Sequence, residues 1–132
     1  MIRAHAYGHV IALRESGVSK KIVVMGGLNG LRQQAAQAVV DFDLTCVVHT
    51  VDALKQLQDV AIKPMPIHLK IDTGMSRMGL HAESVPTFLD ILAETKHLKL
   101  EGVMTHFANA VDDDVTQKQF DRFCICADQI RQ

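Results

Sequence analysis

Short apolar runs alternate with amphipathic segments along most of the chain. Residues 21–25 and 45–49 are rich in β-branched and other apolar side chains, and Gly26 and Gly27 end the first run. After each run, apolar residues recur every three or four positions, which is the spacing of one helix face, and Thr50 stands at the N-cap position of the second helix. The two faces are formed by Leu28, Leu31, Ala35 and Val39, and by Leu54, Leu57 and Ala61. Strands and helices in this order predict an α/β fold with a parallel sheet.

Residues 67–72 alternate strictly between apolar and polar side chains. In a strand, these two sets lie on opposite faces: Ile67, Leu69 and Ile71 against His68, Lys70 and Asp72. An open sheet with one wet face would produce this pattern. A closed barrel would also produce it, with the apolar face against outer helices and the polar face lining a site. The pattern alone leaves both architectures open.

The C-terminal part of the chain continues the alternation. A helix is predicted from near Ser84, with Pro86 tolerated in its first turn and three apolar side chains turned inward: Phe88, Leu89 and Leu92. Residues 100–107 form the last predicted strand. Thr116 and Gln119 have the spacing of a capping box, which predicts that a final helix starts there. The apolar residues of that helix are Phe120, Phe123, Ala127 and Ile130.

Composition narrows the class of protein. The 132 residues are enough for one modest domain, so residues 1–132 are treated as a single domain. A hydrophobic content of 48% and a net charge of -1 are typical of a globular protein, and they give no electrostatic basis for binding nucleic acid or a membrane. No apolar run approaches the roughly 20 residues of a membrane-spanning helix. With no secretory signal and an odd number of cysteines, we expect a cytoplasmic protein with reduced thiols.

The sequence predicts no metal site. None of the seven histidines pairs with another at helix-face spacing beside a third ligand. The three aspartates at 112–114 could bind a cation, but a solvated acidic loop is the commoner outcome. Gly26, Gly27 and Gly30 match no complete phosphate-loop motif and favour a turn after a strand.

Three segments resemble the alanine racemase family, and they occur in the family's order. Residues 4–9 (AHAYGH) are similar to the segment that holds the cofactor-binding lysine. Residues 68–80 (HLKIDTGMSRMGL) form a long and specific match, and residues 100–110 (LEGVMTHFANA) form the third. The resemblance implies a (β/α)8 barrel that holds pyridoxal 5'-phosphate (PLP) at its mouth. It also implies a separate β-rich second domain, homodimers, and interconversion of L- and D-alanine for cell-wall synthesis or alanine catabolism.

The resemblance also implies roles for individual residues. Tyr7 would hydrogen-bond the cofactor phosphate, and His106 would lie against the pyridine ring. Arg77 would reach the phenolic oxygen of PLP and the substrate carboxylate, with Lys70, a position often carbamylated in the family, holding that arginine. Met75 would offer its backbone near the substrate carboxylate. Plainer alternatives remain open: a satisfied strand-end histidine for His106, and structural ion pairs for Lys70 and Arg77.

Arg3 occupies the position of the family's cofactor lysine. The covalent link to PLP needs an unprotonated amine, which lysine supplies when its pKa is depressed. The arginine guanidinium stays protonated and its lone pairs are delocalised, so it can neither form that link nor act as the catalytic base. An ionic contact between Arg3 and the cofactor phosphate or a carboxylate remains possible.

The match to the family also leaves two gaps. In the family, a helix, a strand and most of another helix separate the tyrosine segment from the equivalent of residues 12–17. In this chain those two segments are almost adjacent. Nothing matches the last two barrel strands or the β domain, and a complete barrel takes roughly 200 residues or more. We therefore expect an α/β, partial TIM-like barrel of four to five βα units that lacks the C-terminal β domain and exposes strand edges and apolar inner faces.

Two functions from different classes are compatible with these features. The first is a PLP-dependent alanine racemase that is damaged or part of a larger assembly. The second is a non-catalytic module that binds the PLP phosphate or persists by oligomerising. The single-domain barrels of PLP homeostasis share the fold but lack a match to residues 72–75.

Overall fold

The computed structural model describes residues 2–4, 7–26 and 32–131. The strands are β1 (Ile2–Ala4), β2 (Ile22–Val24), β3 (Thr45–Val48), β4 (Met65–Asp72), β5 (Leu80–His81) and β6 (Leu98–Met104). The helices are α1 (Tyr7–Glu15), α2 (Arg32–Asp41), α3 (Val51–Val60), α4 (Val85–Ala93) and α5 (Asp113–Arg131). A short 3-10 turn, Ala82–Ser84, leads into α4. The predicted α/β order is confirmed, and the structure adds elements that the hydrophobic pattern did not indicate: β1, α1 and the short strand β5.

All strand pairs in the sheet are parallel, in the order β1, β2, β3, β4 and then β6, while β5 pairs with the end of β4. Five strands are each followed by a helix, which agrees with the expected four to five βα units. Among the described strands, β1 pairs only with β2 and β6 only with β4, so both edges of the sheet are open on one side.

Strand β4 separates the core from the concave face of the sheet. Its apolar residues Ile67, Leu69 and Ile71 are completely buried and share one cluster with residues of the helices. The register places Val47 beside His68, and His68 beside Gly102, on the opposite face. Because the helices cover only the apolar face, the polar alternate residues line the interior of a curled sheet. Both architectures share this division of faces, and over the described strands the sheet is not closed.

An ion pair crosses the concave face of the sheet. Lys21, just before β2, forms an ion pair with Glu101 in β6, and this pair spans the face past two intervening strands. The expectation that the apolar inner face would be exposed is wrong for Val23 and Val47, which are 1% and 0% exposed. Curling of the sheet brings its inner side chains together and shields them, although the sheet edges stay open.

Helix α1 joins the two segments that lie far apart in the family. It runs from the Tyr7 position through Arg14, whose guanidinium donates to four backbone carbonyls. Two of these belong to the loop after α1, at Val18 and Lys20, and two lie at the end of α2, at Phe42 and Asp43. Arg14 therefore fixes the C-terminal ends of two neighbouring helices against each other.

The predicted helix starts are confirmed for α3 and α4. The Thr50 hydroxyl accepts a hydrogen bond from the Ala53 N–H at 3.1 Å, as expected of an N-cap. Pro86 lies in the first turn of α4 and Phe88 is buried. The predicted positions Leu28 and Leu31 lie outside the described residues.

The predicted start of the last helix is wrong. Helix α5 begins at Asp113, and the carboxylate of Asp112 accepts a hydrogen bond from the Val115 N–H at 3.0 Å. The aspartates thus cap and open the helix instead of forming a free acidic loop. Thr116 and Gln119 bond elsewhere, to Asn109 and Ala108. Phe120, one of the apolar residues assigned to this helix, is 48% exposed.

Candidate functional site

The carboxyl ends of β4 and β6 lie side by side. Lys70 pairs in register with Met104, the last residue of β6, and β4 ends two residues later at Asp72. The hydroxyls of Thr73 and Thr105 are 2.8 Å apart and join the two loops that follow. In parallel β/α sheets, ligands bind at this edge because loops from several strands converge there. The loops bring Met75, Arg77 and His106, all predicted site residues, to this one edge.

The loop after β4 is shaped by Asp72. Its carboxylate accepts hydrogen bonds from the N–H groups of Gly74 (2.9 Å) and Ser76 (3.1 Å), and Ser76 adopts a left-handed conformation with φ of 54°. Burial opposes ionisation of Asp72, but these two N–H groups and the nearby His81 outweigh it and hold the pKa of the carboxyl below its usual value. The charged carboxylate thus stabilises the turn that precedes Arg77.

Lys70 is the buried cation of the site. Its side chain lies on the polar face of β4 and is 8% exposed. Burial lowers the pKa of the Lys70 ammonium, the positive charge of Arg77 lowers it further, and Asp72 opposes both effects. Both basic residues lie at the carboxyl end of β4, Lys70 within the strand and Arg77 in the loop that follows it.

His49 is a site residue that the sequence analysis missed. It follows the end of β3, is 4% exposed, and its Nε2–H donates to the carbonyl oxygen of Met25 at 3.2 Å. That bond leaves Nδ1 as an acceptor, and Nδ1 has no partner among the described residues. Burial lowers the pKa of His49, and the charge of Lys70 lowers it further although the Met25 bond opposes this. The sequence feature that could have identified His49 is its position at the end of the apolar run 45–49, which places it at the carboxyl end of a strand.

The other predicted residues are placed less completely. His106 lies just beyond β6 and is exposed, as is Arg77, whereas Met75 is half-buried. The backbone of Arg3 pairs in register with Val23 of β2. The side chains of Arg3 and Tyr7 lie outside the described residues, so their predicted roles stay predictions.

Within residues 2–4, 7–26 and 32–131, no three His, Cys, Asp or Glu side chains come together as a metal ion would require. Over the same residues, no helix combines the length and apolar character needed to cross a membrane.

A curled parallel sheet, covered by helices on one face and carrying cations at the carboxyl ends of its strands, defines the wall and mouth of a β/α barrel. The family model for the N-terminal domain of alanine racemase matches residues 5–132. The chain belongs to this family, so the resemblance noted in the sequence is confirmed.

Known proteins similar to the chain agree with this assignment. An alanine racemase of Geobacter sulfurreducens is 35% identical over 109 residues, which cover 79% of this chain and 28% of that protein. The structure of an alanine racemase of Clostridium difficile in complex with cycloserine superposes with a TM-score of 0.87 at 26% identity, over 98% of this chain and 36% of that one. The predicted partial barrel is thereby confirmed. The chain spans only about a third or less of the length of these relatives.

The fold is shared with a protein described as a histidine racemase. A histidine racemase of Leuconostoc mesenteroides has a TM-score of 0.80 at 20% identity, covering 92% of this chain and 33% of its own. At this identity the likeness concerns the fold alone.

Proposed function

We propose that this chain is the cofactor-side part of an alanine racemase barrel that binds PLP without a covalent link and does not racemise amino acids alone. The observation that carries the proposal is the position of two basic residues, Lys70 and Arg77, at the carboxyl end of β4, in a chain whose lysine position holds Arg3. Cations beside a strand-end loop suit the phosphate, phenolate or carboxylate groups of PLP and an amino acid.

The non-covalent contacts proposed for PLP fit the residues present. His106 emerges beside the loop of Arg77, where it can lie against an aromatic ring. Tyr7 is proposed to donate to the phosphate, Arg77 to bind the phenolic oxygen and the substrate carboxylate, and Met75 to offer its backbone to that carboxylate. Lys70 would orient Arg77 when carbamylated, because a carbamate is an anion that accepts hydrogen bonds from the guanidinium.

The covalent attachment does not fit. When bound, PLP withdraws electrons from the α-carbon of an amino acid and makes its proton removable. Arg3 cannot take that proton, because a guanidinium has no free lone pair at neutral pH. Racemisation also needs a second acid/base group on the opposite face of the α-carbon. None of the residue roles assigned to this chain provides that group.

Further features are proposed from the family alone. Alanine is the proposed amino acid, a second copy of the chain the proposed partner, and the cytoplasm the proposed location. Residues 1–132 are proposed to act as one incomplete domain. The net charge of -1 supports neither nucleic acid nor a membrane surface as a partner.

The first test is thermal unfolding with and without pyridoxamine phosphate, which carries the ring and phosphate but no aldehyde. At a ligand concentration of 100 times Kd, binding to the native state adds about 2.7 kcal/mol to the free energy of unfolding. We expect a rise in the unfolding temperature, which Arg77→Met reduces and the exposed-site control Lys118→Met does not. An unfolding temperature that is indifferent to the ligand would contradict the proposal.

The second test restores the amine. With PLP and borohydride, mass spectrometry should find a pyridoxyl group at position 3 in Arg3→Lys and none there in the wild type. Labelling of the surface residue Lys118 should be equal in both and serves as the control. A stable pyridoxyl group on Lys70 in the wild type would show that the covalent link has moved, and would overturn the non-covalent proposal.

The second candidate function is a non-catalytic fragment that persists by oligomerising. It is favoured by the strands β1 and β6, each of which pairs on one side only among the described strands. Open strand edges pair readily with other chains. Sedimentation equilibrium distinguishes the candidates: an oligomer that ignores pyridoxamine phosphate supports this one.

A further inference from the structure

Helix α5 carries a buried polar side chain that contacts both loops of the site. Gln119 is 5% exposed, and its Oε1 accepts a hydrogen bond from the Ala108 N–H at 3.0 Å. Ala108 lies two residues after His106, in the loop that follows β6. This bond therefore fixes the course of the chain directly beyond His106.

The other end of the same side chain lies against the loop that follows β4. A Cβ atom added to Gly74 would come within 3.1 Å of Gln119 Nε2, so the glycine backbone lies directly on the carboxamide. Gly74 has a φ of +144°, a conformation that side chains of L-amino acids rarely adopt. The glycine thus permits both the turn and the close approach of Gln119.

Two further contacts complete this arrangement. One turn after Gln119, the guanidinium of Arg122 donates to the carbonyl oxygen of Thr73 at 3.2 Å. The hydroxyl contact between Thr73 and Thr105 joins the two loops at their base. Both loops are therefore held to each other and to the same helix.

We propose that Gln119, assisted by Arg122, is a positioning residue that holds the loop of Met75 and Arg77 in a fixed relation to the loop of His106. The chemistry of the side chain supports this role. A buried carboxamide costs free energy unless it is hydrogen-bonded, and methionine would fill a similar volume without that cost. The bond to Ala108 accounts for a polar residue at this buried position. The importance of the positioning rests on the proposed function, but the positioning itself needs no ligand.

The test compares two variants of the full chain by hydrogen exchange and mass spectrometry. Gln119→Met keeps the volume and removes the hydrogen bond, whereas Gln119→Glu keeps an oxygen for the Ala108 N–H. In Gln119→Met, we expect amides of residues 105–111 to exchange roughly three- to tenfold faster, with a smaller rise in residues 73–79. Gln119→Glu should restore slow exchange. The exposed neighbour Lys118, changed to Met, provides the matched control and should leave both loops as in the wild type.

A general structural role predicts a different result. If Gln119 only stabilised the fold, Gln119→Met would accelerate exchange equally in helices α2 and α3, and that outcome would overturn the proposal. Unchanged exchange in both loops, or failure of Gln119→Glu to restore it, would overturn it as well.

Ligand binding separates this inference from the proposed function. The dissociation constant of pyridoxamine phosphate should rise several-fold in Gln119→Met while the ligand-free unfolding temperature stays near that of Lys118→Met. If the wild type binds no pyridoxamine phosphate, the proposed function fails, and the exchange measurement still decides the positioning role.

Discussion

The two faces of strand β4 obey different physical rules. On the convex face, Ile67, Leu69 and Ile71 have no exposed surface and lie within one apolar cluster. On the concave face, Lys70 is almost as deeply buried, at 8% exposed. Its ammonium group is charged, and burial lowers its pKa. One strand thus carries side chains that stabilise the fold and side chains that reduce its stability. A buried charged side chain such as Lys70 indicates a functional site, because its unfavourable burial is compensated where a ligand of opposite charge binds.

The concave face also contains an unsatisfied polar atom. The Nδ1 of His49 has no hydrogen-bond partner among the described residues, although His49 is 4% exposed. An orphaned buried acceptor costs about 1–3 kcal/mol. A second such atom among the described residues is Oε1 of Gln56 in helix α3, so buried polar atoms without a partner are not confined to the concave face.

The largest expected effect comes from opening the convex face. Leu69→Ala should lower the free energy of unfolding by about 2–5 kcal/mol, because it removes buried methyl groups and leaves a cavity. Urea unfolding followed by circular dichroism measures the change. The control Ile62→Ala removes a side chain that is 79% exposed, and should change stability by less than about 0.5 kcal/mol. Equal effects of the two variants would contradict the assignment of the convex face to the core.

The second largest effect concerns Gly79, where the loop that follows β4 packs back against the end of that strand. Gly79 has a φ of +150°, and an added Cβ would lie 2.6 Å from the Asp72 backbone nitrogen. Gly79→Ala should therefore lower stability by about 1–3 kcal/mol from backbone strain, with a further loss from the clash. Gly17→Ala is the matched control, since Gly17 has a φ of +88° and nothing within 4 Å of the added atom. If both variants lose the same stability in urea, the close approach to Asp72 has no energetic consequence.

The smallest effect depends on pH and tests the concave face. Because the folded-state pKa of Lys70 is lowered, the folded protein binds fewer protons than the unfolded chain between that pKa and the ordinary value of 10.5. Wild-type stability relative to Lys70→Met should therefore rise with pH across this window, and the variant should be the more stable form at neutral pH. A pKa lowered by one corresponds to about 1.4 kcal/mol.

Urea unfolding at neutral pH and near pH 10 measures this pH dependence. Lys118→Met, at an exposed position, should show no comparable trend. A stability difference between wild type and Lys70→Met that is flat with pH would mean that the charge of Lys70 is not penalised in the folded state.

Local sequence patterns determined the elements whose signals are local. The alternation in residues 67–72 identified β4 and divided its residues correctly between two faces, and Thr50 identified the start of α3. The motif at 68–80 identified the family. These predictions succeeded because the residues that form each signal are neighbours along the chain, so the signal does not depend on which distant segments pack against it.

Tertiary structure alone decided which of the competing bonds formed. Thr116 and Gln119 have the spacing of a capping box, yet Asp112 caps α5 and Gln119 bonds to Ala108 of the neighbouring loop. Similarly, the alternation in β4 did not distinguish an open sheet from a barrel. The hydrogen bond of His49 is made to Met25, which follows a different strand. A polar side chain that could bond to a local or a distant partner bonds to the one that packing brings within reach. The spacing of residues along the chain does not determine which partner that is.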